Sequence, residues 1–193
     1  MNKTVCVAGA SGLVGSSIVK AALSRGYSVN GTLRDATIKD KAEYLHQLEG
    51  AANLKLFSAD MQRGSDFDEA LSGTDAVFIA CLIPTYKGPT GIAAKEMEYD
   101  QGYREIIQPT VDGCMEILKA AHKQGLRKAV ICSSTSSTNP IPAVSVKNEI
   151  DHWSDEAEQC KSKKFTSATK TVMEKTAIRF AKENNIRLSI ILP

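Results

Sequence analysis

The sequence predicts an α/β domain built on a doubly wound parallel sheet, and three observations predict it. Strand-like and helix-like stretches alternate from one end of the 193 residues to the other, the pattern of a parallel sheet covered by helices on both faces. Glycines punctuate the first strand-to-helix connection. The length suits one apolar core and has no room for a second full domain, so residues 1–193 are read as a single domain.

Taken in order, the strands expected are Thr4 to Ala8, Ser28 to Leu33, Leu54 to Ser58, Ala76 to Cys81, Lys128 to Cys132 and Leu188 to Leu192. Between them, helical spacing recurs at Val14, Ile18, Ala21 and Ala22, then at Ile107, Val111, Met115 and Leu118, and again at Val172, Met173, Thr176, Ala177 and Phe180. These stripes are read as packing faces. Leu82 to Tyr103 and Thr135 to Phe165, the latter with Pro140 and Pro142, lack a clear period and are read as long loops, a kind that is often functional.

Composition narrows the classes of function. With 24 basic against 22 acidic residues the net charge is only +2, so nothing selects nucleic acid or a membrane surface. No apolar run approaches the ~20 residues of a spanning helix. Five cysteines at 6, 81, 114, 132 and 160 lack the paired spacing of zinc sites, and His46, His122 and His152 are not grouped with them, so no metal is expected. An odd, scattered set of thiols points to a reducing cytoplasm.

Gly9-Ala10-Ser11-Gly12-Leu13-Val14-Gly15 follows a strand and opens a helix, the context in which three spaced glycines mark a dinucleotide-binding turn of the Rossmann type. Gly9 permits the tight turn, Gly12 lets the backbone approach a diphosphate, and Gly15 lets the helix pack close to the strand. The free amides and positive dipole end of that helix then face the phosphates. The plainer alternative is a tight turn with no ligand. Which dinucleotide binds is decided about twenty residues further on, where Arg34 and Asp35 stand side by side after the second strand. An acid there holds a ribose hydroxyl, whereas an arginine holds a 2′-phosphate. Arg34 comes first and Lys41 lies nearby, which favours NADP(H) over NAD(H); the alternative is a solvated Arg-Asp pair.

These residues resemble the extended short-chain dehydrogenase/reductases of the epimerase/dehydratase superfamily, in particular the dihydroflavonol reductase and cinnamoyl-CoA reductase branch. The resemblance covers nearly the whole chain, through the glycine opening, Thr-Leu-Arg-Asp at 32–35, Ser-Ala-Asp-Met at 58–61, Gln-Pro-Thr-Val-Asp-Gly at 108–113 and Cys-Ser-Ser-Thr at 132–135. It implies that Asp60 and Met61 contact the adenine, that Ala80, Cys81 and Leu82 line the path to the nicotinamide, that Ser134 is the catalytic serine, and that Asn139 faces substrate. Asp60 also reads as a simple cap at a strand end, and Ser134 as part of a hydroxyl-rich turn. The cofactor set so expected is Gly9, Ser11, Gly12, Leu13, Val14, Gly15, Arg34, Lys41, Asp60, Met61, Ala80, Cys81, Leu82, Lys170 and Pro193.

The family's reaction uses a tyrosine four residues before a lysine: the phenol exchanges a proton with the substrate oxygen, and the lysine lowers the phenol's pKa while holding the ribose. Lys170 matches that lysine, with Glu174 following as in the family, but four residues earlier stands Thr166. An aliphatic hydroxyl ionises far above the ~10 of a phenol. Family members also continue past the position of Pro193 with residues that build most of the substrate pocket, so the expected fold is the Rossmann-type sheet with that half absent. The first function expected is an NADPH-dependent reductase of aldehydes or ketones, an oxidoreductase acting on C=O and CH–OH groups, with Ser134, Lys170 and Thr166 at the catalytic positions. The second is a non-catalytic NADP(H)-binding subunit or sensor read by a protein partner. A nucleotide-sugar epimerase or dehydratase is a weaker third. A homodimer through the long helices is compatible with each.

Overall fold

The computed structural model describes residues 3–82 and 85–193, leaving aside the side chains of Lys39 and Lys41. Six strands, β1 (Thr4–Ala8), β2 (Ser28–Leu33), β3 (Leu54–Ser58), β4 (Ala76–Ile79), β5 (Lys128–Cys132) and β6 (Arg187–Ile191), form one sheet in the order β3-β2-β1-β4-β5-β6. Every neighbouring pair is parallel. The helices are α1 (Leu13–Leu23), α2 (Lys39–His46), α3 (Asp68–Leu71), α4 (Tyr99–Gly102), α5 (Gln108–Lys123), α6 (Glu156–Lys161) and α7 (Phe165–Glu183). This is the expected Rossmann-like fold. The strand order reverses between β1 and β4, and ligands of such sheets settle in the crevice at the carboxyl ends beside that switch point.

Alternation along the strands divides the core into two layers. On one face Val5, Val7, Val29 and Leu54 meet Val19 and Leu23 of α1 and Leu45 of α2. On the other, Cys6, Ala8, Val77, Ile79, Ala129 and Ile131 meet Ile117 and Leu118 of α5 and Met173 and Ala177 of α7. Each fully buried aliphatic side chain contributes about 1.5–3 kcal/mol, and all five cysteines remain free thiols.

Several boundaries differ from expectation. Strand β4 stops at Ile79 rather than Cys81, because its partner β1 ends at Ala8 and turns away at Gly9, leaving residue 81 nothing to pair with. Strand β6 runs from Arg187 to Ile191 rather than from 188 to 192, because its register matches Cys132, the last residue of β5, to Ile191. In α1 the buried row is Gly15, Val19 and Leu23, whereas Ala21 is exposed; close approach at Gly15 turns that row toward the sheet.

Neither long stretch is simply a loop. The first contains α4, which continues through a π-helical turn at Tyr103–Ile107 into α5. The extra residue in such a turn shifts the helical period, which erased the sequence signal. The second contains α6, whose Asp155 side chain caps the amides of Ala157 and Glu158 at 2.8 and 3.1 Å.

Candidate functional site

The glycine turn is packed as tightly as its sequence implies. Gly9 has a left-handed φ of 86°, and a Cβ added there would lie 2.8 Å from the Cys81 Cβ. The amides of Gly9 and Ala10 both donate to the Thr32 carbonyl, at 3.0 and 2.8 Å, and the Gly12 amide donates to Gly9 O at 3.0 Å. A Cβ at Gly15 would fall 2.0 Å from the same Gly9 oxygen, so α1 presses directly on the turn. Gly12 caps α1 with no side-chain hydrogen bond, which leaves amides of the first turn available to an anion. A Cβ at Gly12 would meet nothing closer than Gly9 O at 3.4 Å, so the space above the turn is open and suits a diphosphate.

That space continues into a cleft of ≈ 660 Å³ along the carboxyl ends of β1, β2, β3 and β4, a volume in the range of small-molecule sites. Eight of the expected cofactor residues line it: Gly9, Ser11, Gly12, Arg34, Asp60, Met61, Ala80 and Cys81. Arg34 is exposed on its wall. The neighbouring Asp35 carboxylate accepts from the amide and hydroxyl of Thr37 at 2.9 and 2.6 Å. Asp60 is both cleft wall and cap, its carboxylate accepting from the Gln62 amide at 3.0 Å. Met61 packs over Gly113, where a Cβ would approach its side chain to 3.0 Å, and the Gln62 amide group donates to Pro109 O at 2.9 Å. These contacts fix the 60–62 segment against α5.

Other expected residues lie elsewhere. Leu13 and Val14 open α1, with the Leu13 side chain 88% exposed. Gly15 acts through packing. Leu82 is buried and offers only its carbonyl, to Lys170. Pro193 is exposed beyond the end of β6 and does not line the cleft. The Lys41 side chain lies outside the described ones. Thr32, Leu33, Asp35, Ile38, Ala59, Phe67 and Thr85 complete the cleft. The first three and Ala59 fall within the motifs at 32–35 and 58–61, whereas no motif marks Ile38, Phe67 or Thr85, whose place follows only from strand ends meeting in space.

The catalytic positions gather at the carboxyl ends of β4 and β5 and the start of α7. Lys170 is buried, with its Nζ donating to the Leu82 carbonyl. Burial pulls its pKa below the ordinary lysine value, opposed by Cys132, Cys114, Glu174 and Cys81. Burial pushes the Cys81 thiol up to about 11 and Cys114 to about 12, so neither is a ready nucleophile. Burial also raises the pKa of Glu174, one turn after Lys170, opposed by the Ser133 and Ser137 hydroxyls and by Lys170. Ser133 Oγ donates to that carboxylate, joining β5 to α7. Ser134 caps the helical turn 135–137, its Oγ accepting from the Ser136 amide at 3.3 Å. Asn139 is exposed, its side chain held by Thr135 O and Lys147. Thr166 is half-buried on the first turn of α7. The adjacent Phe165 is buried, its ring filling the space over Gly102. No group of three His, Cys, Asp or Glu able to hold a metal occurs among the described residues, and no helix there is long and apolar enough to cross a membrane.

The fold and turn define a nicotinamide-dinucleotide-binding protein: the NAD(P)H-binding family model matches residues 9–186, and the chain belongs to that family. Within it the chain is similar to dihydroflavonol and anthocyanidin reductases. It is 36% identical, over its whole length and 53% of the relative, to a bifunctional dihydroflavonol 4-reductase/flavanone 4-reductase of Malus domestica. It is 32% identical, over 99% of its length and 55% of the relative, to an anthocyanidin reductase of Vitis vinifera. Among solved structures it superposes on vestitone reductase from alfalfa with a TM-score of 0.69 at 28% identity, covering 98% of this chain and 56% of that one. On Gre2 from Candida albicans in complex with NADPH the TM-score is 0.70 at 25% identity, covering 99% and 57%. The chain spans about half the length of the curated relatives it matches.

Proposed function

We propose that this chain is an NADP(H)-binding oxidoreductase domain of the carbonyl-reductase type, acting between C=O and CH–OH groups of a small aldehyde, ketone or alcohol. The observation that carries the cofactor choice is the arrangement after β2: Arg34 and Asp35 both stand exposed on the cleft wall, and one oxygen of the Asp35 carboxylate, Oδ1, already accepts from the amide and hydroxyl of Thr37. A guanidinium so placed meets a 2′-phosphate, and the local turn at Thr37 competes for the acid that would otherwise accept from a ribose hydroxyl. The Gre2 structure with NADPH and the reductase names of the relatives support the same reading. The glycine turn would hold the diphosphate, Asp60 and Met61 the adenine, Lys170 the nicotinamide ribose, and Ser134 the substrate oxygen. The cofactor supplies the hydride. Free cysteines throughout favour a reducing cytoplasmic setting.

A second reading, a non-catalytic NADP(H)-binding subunit or sensor, is favoured by one specific observation. Thr166 stands where the family has its phenol, and the adjacent aromatic ring, Phe165, is turned into the core against Gly102. Losing a general acid costs about 100- to 10,000-fold in rate. Calorimetric titration with NADPH and NADH tests the cofactor, and tighter NADH binding would overturn the assignment. NADPH consumption across a panel of small aldehydes separates the two readings: robust turnover would overturn the second.

A further inference from the structure

We infer that Tyr44 is a positioning residue for the diphosphate-gripping turn, an inference that rests on the dinucleotide reading above. Its phenol donates to the Ser11 carbonyl at 2.8 Å, thirty-three residues away in sequence. The peptide unit joining Ser11 to Gly12 has only two polar groups, that carbonyl and the Gly12 N–H, and the N–H donates to Gly9 O at 3.0 Å. Both ends of one peptide plane are therefore held.

The plane needs holding. Its rotation is governed by ψ of Ser11 and φ of Gly12, and Gly12 has no Cβ to resist it. Rotated about its long axis, it would turn the Ser11 oxygen toward the open space above the turn. An anionic diphosphate would then face a carbonyl beside the helix amides. With the carbonyl tied back to Tyr44, the Ser11 oxygen is kept out of the path of the diphosphate.

Core packing does not impose the contact. Leu45, next in α2, is completely buried and anchors the helix, whereas Tyr44 is 40% exposed. Its hydroxyl can therefore be removed while the ring and the helix remain. The helix it stands on follows the Arg34 segment, so Tyr44 links the strand end expected to read the 2′-phosphate to the turn expected to grip the diphosphate.

The test compares the native chain and Tyr44→Phe with NADPH and with 2′-AMP, which carries the 2′-phosphate but no diphosphate. Loss of one hydrogen bond worth at most about 1–1.5 kcal/mol to the fold predicts a melting temperature without ligand lowered by no more than about 2–6 °C. It also predicts NADPH binding weakened by up to about five- to tenfold, because the freed peptide must be re-ordered on binding, and 2′-AMP binding unchanged. Equal NADPH affinity in the two chains would overturn the inference, as would a parallel loss for 2′-AMP, which is what a general loosening of α2 produces. Failure of the native chain to bind NADPH at all would instead overturn the dinucleotide reading beneath it, and this inference with it.

Discussion

Substituting Gly15 and Gly12 separately by alanine should split the two jobs of the glycine turn. At Gly15 the new Cβ would lie 2.0 Å from Gly9 O, 2.8 Å from Gly9 C and 3.2 Å from Ala10 Cα, all backbone atoms. Since real Cβ contacts almost never fall under 3.0 Å, α1 and the turn have to part by about 1 Å. Overpacking of this kind costs about 1–3 kcal/mol, and the rigid obstacle puts it at the upper end. Replacing a helical glycine returns about 1 kcal/mol, for a net loss of about 2 kcal/mol and a melting temperature lowered by about 4–8 °C. At Gly12 the nearest atom is 3.4 Å away and φ is −78°. Gly12→Ala should therefore cost at most about 1 kcal/mol without ligand, the loss of a favoured N-cap. Its methyl would stand where the diphosphate approaches, weakening NADPH about 5- to 150-fold for a clash of about 1–3 kcal/mol. Urea unfolding without cofactor and calorimetric titration with it read the two effects. An unchanged unfolding midpoint for Gly15→Ala, or native NADPH affinity for Gly12→Ala, would refute the packing argument.

Arg34→Ala should weaken NADPH by about ten- to a hundredfold, the worth of a charge-assisted bond of about 1.5–3 kcal/mol, and leave NADH nearly unchanged; equal losses would remove Arg34 from 2′-phosphate recognition. Thr166→Tyr should raise NADPH-dependent carbonyl reduction by about 100-fold or more if the half-buried threonine position faces the substrate, and an unaltered rate would place the proton donor elsewhere. Because burial raises the Glu174 pKa in the fold, the native state binds more protons than the unfolded chain above the ordinary value of 4.5. Its contribution to stability is thus full below that value and lost as pH rises through the raised one. Glu174→Gln should flatten this fall in the urea midpoint, and a slope identical to the native chain's would show that Glu174 does not titrate there. Lys170, whose pKa is lowered by burial, adds the opposite slope, gaining stability as pH rises from the lowered value to the ordinary 10.5.

The sheet was legible because its signal is local. Each strand is a short apolar run bounded by turn residues, and the glycine turn sits where a strand meets a helix. What escaped was set by partners distant in sequence. Cys81 leaves the sheet because β1 has ended, and Leu192 because β5 has. Tyr103–Ile107 hides a helix by adding a residue to one turn. Asp155 and Glu158 have the spacing of a helix start for α6, but the six helical residues that follow are too few to show a period. At the site, residues carrying backbone demands or charge, such as Gly9, Gly12 and Arg34, could be named from their types. Ile38, Phe67 and Thr85 could not, because an apolar or hydroxyl side chain beside a cleft has no motif of its own.

The double acceptor at Thr32 works as a ruler. One oxygen receives both Gly9 and Ala10, and Arg34 follows two residues later, a reach of at most about 7 Å of extended chain. The interval between the turn and the guanidinium is thereby gauged by covalent length, and no flexible connection can lengthen it. A slip of one residue between the first two strands would spoil both contacts together.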